Sequence, residues 1–305
     1  MIKPILSVII PVYNAKEHIE KCLNGILCQK LDNIEIIIIN DKSTDNTDKI
    51  LEEYKKRDKR IVLINNDKNI GTGASRNKGI LFARGEYIGF VDNDDFISDD
   101  YFLNLYNKIK ENDYDIAVNL KIENHTKNKS KTHLLAPNDL KEIVFVQRTA
   151  PWAKIFKKSF LIKNNIKFDL TRGEDIFPAF MSIVLTEKIT YSKKGTYHCL
   201  IRDNSISHKN ITSDDLYELD IYKKCIEFIL NNKNYDYYYG LIKKRSLISL
   251  DFLYSKADKN LKKEVLKKYS LIFNVKYPYL EYLKGKFLIR LKRLYTFINS
   301  KKKRA

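Results

Sequence analysis

Three carboxylates fall within four residues at Asp92-Asn93-Asp94-Asp95, directly after the apolar run Tyr87 to Val91. Like charges this close repel one another unless a cation lies among them. Hard oxygen ligands with few other donors suit Mg²⁺ or Mn²⁺, and such ions in turn hold diphosphate oxygens. The spacing therefore predicts a divalent metal cofactor and a nucleoside diphosphate; the plainer alternative is a solvated turn whose aspartate caps a helix. Tyr13 offers an aromatic face to a nucleobase, and Asp41 can accept the imide hydrogen of uracil, although each taken singly is also an ordinary rim tyrosine or turn aspartate. Arg76 stands where the third glycine of a G-x-G-x-x-G would fall, and no Walker sequence exists, so dinucleotide and P-loop sites are poor readings. Its guanidinium, close to a helix start, can pair with the carboxylates or with the nucleotide.

These residues need a scaffold that gathers them. Over the first 120 residues, short β-branched runs alternate with helical patterns, which predicts an α/β fold with a mostly parallel sheet flanked by crossover helices. Strands are expected at 6–10, 34–39, 61–64, 87–91 and 116–118. Ile19, Cys22, Leu23, Ile26 and Leu27 recur at helical spacing, and further helices are expected over 45–54 and 74–83. In such a sheet, ligands bind beyond the carboxyl ends of the strands. The polar segments 11–14, 40–45, 69–77 and 92–95 all follow strands and should converge on one edge. Residues 124–133, polar and basic, are expected to form a loop, and from Ser213 onward only helical periodicity remains.

With 305 residues, 44% of them hydrophobic, the chain can bury a substantial core in about two domains, and with 10 Gly and 6 Pro it has no collagen-like or linker-like character. No apolar run approaches the ~18 residues of a membrane span, and the first residues lack an export signal, so residence in the cytoplasm is expected. Cys22, Cys28, Cys199 and Cys225 are scattered without zinc-type spacing and are expected to be buried free thiols. The net charge is +18, yet residues 1–120 carry 17 basic and 20 acidic side chains, so the whole excess lies beyond them. A nucleic-acid-binding protein would concentrate basic and aromatic residues at the site; the acidic cluster argues against that partner.

The strings Ser7-Val8-Ile9-Ile10-Pro11-Val12-Tyr13-Asn14, Asn40-Asp41-Lys42-Ser43-Thr44-Asp45, Ala74-Ser75-Arg76-Asn77-Lys78-Gly79, 85–95 ending in Asp92-Asn93-Asp94-Asp95, and Gly173-Glu174-Asp175 resemble the motif series of family 2 glycosyltransferases in order and spacing. The resemblance covers residues 5–120 closely and reaches about residue 207. It implies a GT-A fold, a nucleotide-sugar donor, usually UDP-linked, a divalent metal at the D-x-D sequence, and inversion at the anomeric carbon. Carried over position by position, it makes Tyr13 the base-stacking residue, with Pro11 and Asn14 beside it, and Asp41 the uracil contact. Asp92 would lie near ribose or metal, followed by Asn93, and Asp94 would be a metal ligand. Asp175 would be the catalytic base, although a Glu-Asp pair is also common at helix N-termini. One position departs, because Asn40 stands where the family usually has the first of two aspartates. Glu174, His198 and Arg202 are candidate diphosphate or acceptor contacts. Trp152, the single tryptophan, is a candidate sugar-stacking residue on the acceptor side, with a core role as the alternative.

On this reading residues 1–210 form the catalytic domain, with a nucleotide-binding half over 1–120 and an acceptor half over 121–210, and residues 211–305 form a helical appendage. In its last stretch Leu280, Leu283, Phe287, Leu291, Leu294 and Ile298 alternate with Lys284, Lys286, Arg290, Lys292 and Arg293. Such a basic amphipathic helix can lie on an anionic membrane surface near a glycan or lipid-linked acceptor, or pack on the protein. The resemblance thus implies a peripheral enzyme of cell-envelope polysaccharide biosynthesis. A sugar-1-phosphate nucleotidyltransferase shares this type of sheet but would need a glycine-rich loop with an arginine directly after the first strand, and Pro11-Val12-Tyr13-Asn14 provides none.

Overall fold

Strand β1 (Leu6–Val12) is buried along its whole length, as is β2 (Ile34–Asn40), because both lie inside a sheet covered on its two faces. Ile36, Ile37, Ile38 and Ile39 are fully excluded from solvent, and each such side chain contributes roughly 1.5–3 kcal/mol relative to an exposed one. The computed structural model describes residues 3–127, 129–170, 173–201 and 211–276, together with Tyr279 and Leu283. Arg202 and, apart from Leu283, the expected basic helix lie outside these residues.

Between β1 and β2 runs α1 (Ile19–Leu27), which buries Ile19, Cys22, Leu23 and Ile26 as the spacing requires. Then follow α2 (Thr47–Arg57), β3 (Ile61–Asn65), α3 (Thr72–Phe82), β4 (Tyr87–Phe90), β5 (Phe96–Ile97), α4 (Tyr101–Lys110) and β6 (Ile116–Asn119). After these come β7 (Lys121–His125), β8 (Ser130–Leu134), the single turn α5 (Leu140–Glu142), β9 (Lys154–Lys157), α6 (Lys158–Lys163), α7 (Ile176–Val184), β10 (Ile189–Ser192) and β11 (Tyr197–Leu200). A seven-stranded sheet has the order β10-β6-β9-β4-β1-β2-β3, with β9 antiparallel to both neighbours and the other pairs parallel. A four-stranded sheet has the order β5-β11-β7-β8.

The register places the strand ends together. Val12 pairs with Asn40 and Asn40 with Asn65, while Ile9 pairs with Phe90, so the segments that follow β1, β2, β3 and β4 leave from one edge. Two expectations need correction. Residues 124–133 are not a loop throughout: β7 and β8 pair as an antiparallel hairpin, from Lys121 opposite Leu134 to His125 opposite Ser130. β8 is mostly exposed and shows no apolar alternation, so its sequence carries no strand signal, and its pairing alone defines it. Among the four thiols, all free, Cys22 and Cys225 are buried, Cys199 is half-buried, and Cys28 is exposed where α1 ends.

The chain divides into two compact units, Met1–Ser205 and Ile206–Ala305. Within the second, α8 (Tyr217–Phe228), α9 (Tyr235–Lys256) and α10 (Lys259–Phe273) pack together. Their interior contains a polar group in which Tyr222 and Glu218 both bond the Ser249 hydroxyl, and α10 begins at Asp258, whose carboxylate accepts from the backbone N–H groups of Asn260 and Leu261. Among the described residues no helix is long and apolar enough to cross a membrane.

Candidate active site

Short loops at the carboxyl edge are held by side-chain hydrogen bonds. Asn14, in the left-handed region at φ 48°, accepts from the Thr44 backbone N–H at 2.7 Å, and its own N–H donates to Ser43 Oγ at 3.1 Å. Asp45 accepts from the N–H groups of Lys16 and Thr47, both at 3.1 Å. The loops after β1 and β2 are thereby joined, with Tyr13 47% exposed on their rim. Asp41 is buried, and its carboxylate accepts at 2.8 Å from Asn66 Nδ2 and from the N–H groups of Ile70 and Gly71. Asp41 therefore anchors the segment leading into α3.

One face of α3 grips the chain around residue 170. Gly73 allows contact that no other residue permits, since a Cβ there would lie 1.9 Å from the Asp169 carbonyl oxygen. Asn77, one turn later, donates to the Phe168 carbonyl at 2.8 Å and accepts from the Phe168 N–H at 2.9 Å. Between them Arg76, 4% exposed, places one arm 2.8 Å from Glu174 Oε1 and the other 2.8 Å from Asp92 Oδ1. Burial opposes the charge on Arg76, but Asp92 and Glu174 outweigh it and hold the guanidinium ionised. Both ion pairs of Arg76 are thus with carboxylates, one of them in the acidic turn.

Asn93 donates to the Pro11 carbonyl at 3.0 Å, which ties the acidic turn to the end of β1. The Asp92 N–H donates to the Tyr197 hydroxyl at 3.1 Å, and Asp95 accepts from the Leu200 N–H at 2.8 Å. Burial, reinforced by the charges of Asp92 and Asp94, pushes the Asp95 carboxyl up to about 8. This all-oxygen donor set with excess negative charge fits a hard divalent cation; Asp92 and Asp94, both half-buried, are the residues that would hold it. The bond between Tyr197 and Asp92 spans 105 positions of the chain.

Asp175 occupies the N-cap position of α7 and lines a small apolar cavity with Phe90, Phe156, Phe168, Pro151 and Pro178. Its charge acts on Glu174, whose carboxyl burial and Asp175 together push upward despite Arg76. Trp152 stacks on Tyr197, centroids 4.3 Å apart and planes 16° apart, so one indole face is committed to the protein. His198 follows Tyr197 on a strand and so points from the opposite face. It stacks on Phe96 and meets His125, and is not brought to the Asp92 carboxylate. Sequence reasoning missed Lys154, fully buried on β9, whose ammonium donates to the carbonyls of Arg148, Thr149 and Ala150. Its one signal was a lysine inside the apolar string Ala153-Lys154-Ile155-Phe156.

Comparisons with known proteins fit this arrangement. The profile of Glycosyl transferase family 2 matches residues 7–174, from β1 to the Glu174 that pairs with Arg76. GlyA, a glycosyltransferase of Streptococcus pneumoniae, is 34% identical over 220 residues, 66% of this chain but 31% of its own length. The poly(ribitol-phosphate) beta-glucosyltransferase of Bacillus spizizenii is 37% identical over 205 residues, 65% of this chain and 32% of its own. The chain thus spans about a third of these relatives. Among solved structures, Staphylococcus aureus TarS 1-349 in complex with UDP-GlcNAc superposes with a TM-score of 0.70 at 19% identity, covering 92% of this chain and 88% of that one, which establishes the shared GT-A fold. With the motif series, its gathering at one sheet edge and the profile match all in agreement, this chain is a member of glycosyl transferase family 2.

Proposed function

We propose that the protein is an inverting glycosyltransferase that moves a sugar from a nucleoside diphosphate donor, a UDP-sugar, to a hydroxyl of a glycan or lipid-linked acceptor in cell-envelope polysaccharide synthesis. The observation that carries this reading is the Arg76 bridge, which holds the Asp92 turn and the Glu174-Asp175 pair in one place. Tyr13 stacks on the base in a pocket completed by Pro11 and Asn14. Asp41 fixes the loop over that pocket and presents its remaining lone pair to the uracil imide. Asp175 takes the proton from the acceptor hydroxyl as that oxygen attacks the anomeric carbon from the face opposite the diphosphate. The surrounding phenylalanines and prolines exclude water, which favours transfer over hydrolysis. A Mg²⁺ or Mn²⁺ held by Asp92 and Asp94 supplies positive charge against the departing diphosphate. Support for the donor class comes from TarS, crystallised with UDP-GlcNAc, and for the metal from a Pyrobaculum calidifontis mannosyltransferase of the same fold, in complex with GDP-Man and Mn²⁺.

In this reading the Met1–Ser205 unit carries the chemistry, while the second unit and the basic residues 284–304 bring it to an anionic membrane surface where the acceptor resides. Release of nucleotide from a panel of nucleotide sugars, with Mn²⁺ and then with chelator, tests it. We expect turnover with a UDP-sugar, its loss in chelator and in Asp94→Asn, and in Asp175→Asn retained donor binding without transfer. Turnover that persists in chelator, or full transfer by Asp175→Asn, would overturn the respective assignment.

A further inference from the structure

The four-stranded sheet carries a second cluster of ligating side chains, made of residues the transfer chemistry does not use. Glu123 and His125 are two apart on β7, so they share a face. β11 runs parallel beside β7 with His198 opposite Glu123, and β8 sets Ser130 opposite His125. His125 Nε2 lies 2.9 Å from His198 Nδ1, and that same Nδ1 lies 3.6 Å from Glu123 Oε2. One ligand atom from each of the three side chains lies within 4.8 Å of the others. Ser130 Oγ, 2.8 Å from His125 Nδ1, orients that ring from behind and leaves Nε2 turned towards His198. Phe96 stacks flat on His198, centroids 4.4 Å apart, and fixes the second ring.

Two nitrogens and a carboxylate oxygen at these separations surround a point that a metal ion can occupy. With metal–nitrogen bonds of about 2.05 Å, the 2.9 Å separation subtends about 90° at the ion, and the 3.6 Å separation about 120°. Together the two angles suit a five-coordinate ion whose remaining positions are water. Both imidazoles are half-buried. The donor chemistry differs from that of the acidic turn: imidazole selects Zn²⁺, Ni²⁺ or Co²⁺, whereas an oxygen-only set selects Mg²⁺ or Mn²⁺.

We propose that Glu123, His125 and His198 form a second divalent-metal site, selective for an ion of the Zn²⁺ type, that staples β7 to β11. β11 is also the strand whose Leu200 N–H holds Asp95, so the staple braces one wall of the acidic turn. The inference stands independently of the transfer reading, because it is measured without donor or acceptor.

The test is calorimetric titration of the full chain with Zn²⁺ in a large excess of Mg²⁺, which fills the oxygen-only site, alongside thermal melts with and without Zn²⁺. Wild type and Asp94→Asn should each bind one equivalent of Zn²⁺ and melt at a higher temperature with it. His125→Gln, His198→Gln and Glu123→Gln should each weaken binding at least ~10-fold and abolish the melting shift. Because His198→Gln also disturbs the Phe96 stack, Glu123→Gln provides the arm that leaves both rings in place. Bound Co²⁺ should give visible absorption bands that disappear in the same variants. If wild type takes up no Zn²⁺ in excess Mg²⁺, or if all three variants bind as wild type does, the pair is a hydrogen-bonded histidine contact alone and the proposal fails.

Discussion

Arg76 and Glu174, 98 positions apart in the chain, meet at 2.8 Å, and the second arm of the same guanidinium meets Asp92 at 2.8 Å. A planar fork can satisfy two carboxylates at once, and burial keeps water from competing for them. The residue after Glu174 is the proposed base, and two residues after Asp92 stands the proposed metal ligand. On the proposed reading, a single side chain on α3 thus sets the spacing between the base and the metal ligand.

Arg76→Lys keeps the charge but not the fork. One ammonium cannot hold both carboxylates, and the half-buried partner left behind costs about 1–2 kcal/mol. Urea unfolding should show that loss, and transfer should fall at least ~100-fold because the two halves of the site drift apart. A variant as stable and as active as wild type would show that the bridge does not organise the site.

Gly73→Ala acts on the same contact from the backbone. The added Cβ would lie 1.9 Å from the Asp169 carbonyl oxygen and 3.2 Å from Glu174 Cβ, so Asp169 and Glu174 must move. Nucleotide binding, which the proposed function assigns to the loops after β1 and β2, should survive, while transfer falls by about 100-fold. Equal losses in donor affinity and in transfer would place the disturbance elsewhere.

How much of this was legible follows from which residues carry local signals. Ile36 to Ile39 read as a buried strand because nothing in the run is polar, and the α1 stripe read as a helix because its spacing repeats. The acidic turn was legible because three carboxylates in four residues demand an explanation. The partner of Arg76 was not, because Glu174 is remote in sequence and only the docking of Phe168 and Asp169 on α3 brings it near. Nor was the β7–β8 hairpin, since Ser130–Leu134 has neither a buried face nor alternation. The neighbours of His198 were hidden for that reason: without β7 as a strand, Glu123 and His125 could not be placed beside it.

Glu35 predicts an acid limb in stability. It lies buried on β2 and accepts from Ser7 Oγ and the Arg84 N–H, both at 2.6 Å, and from Arg84 Nε at 2.9 Å. Burial alone would raise its pKa, but the bonds from Ser7 and Arg84 outweigh that and hold it below the ordinary value. The stabilisation is therefore fully present above the unfolded value, about 4.3, and is lost as pH falls through the lower folded one. Urea midpoints should drop more steeply below pH 5 in wild type than in Glu35→Gln. Parallel curves would remove Glu35 from the acid transition.

Lys154 predicts the opposite limb. Its ammonium, 1% exposed, holds the carbonyls of residues 148–150 ahead of the turn Pro151–Ala153, and Thr149 and Pro151 line the cavity that Asp175 faces. Burial pushes its pKa down to about 7, against the upward pull of Asp175. An unfolded lysine titrates near 10.4, so between about pH 7 and 10 the unfolded chain binds more protons than the folded one, and stability from this group rises with pH. Lys154→Met keeps the stem, removes the titration and leaves the carbonyls without their donor, a loss of at least ~2 kcal/mol. The wild-type advantage in urea midpoint should widen from pH 7 to pH 9.5, and transfer should fall as the turn bearing Trp152 loosens. An advantage that stays constant across that interval would mean the lysine is already charged in the folded protein and is held by the carbonyls as a cation.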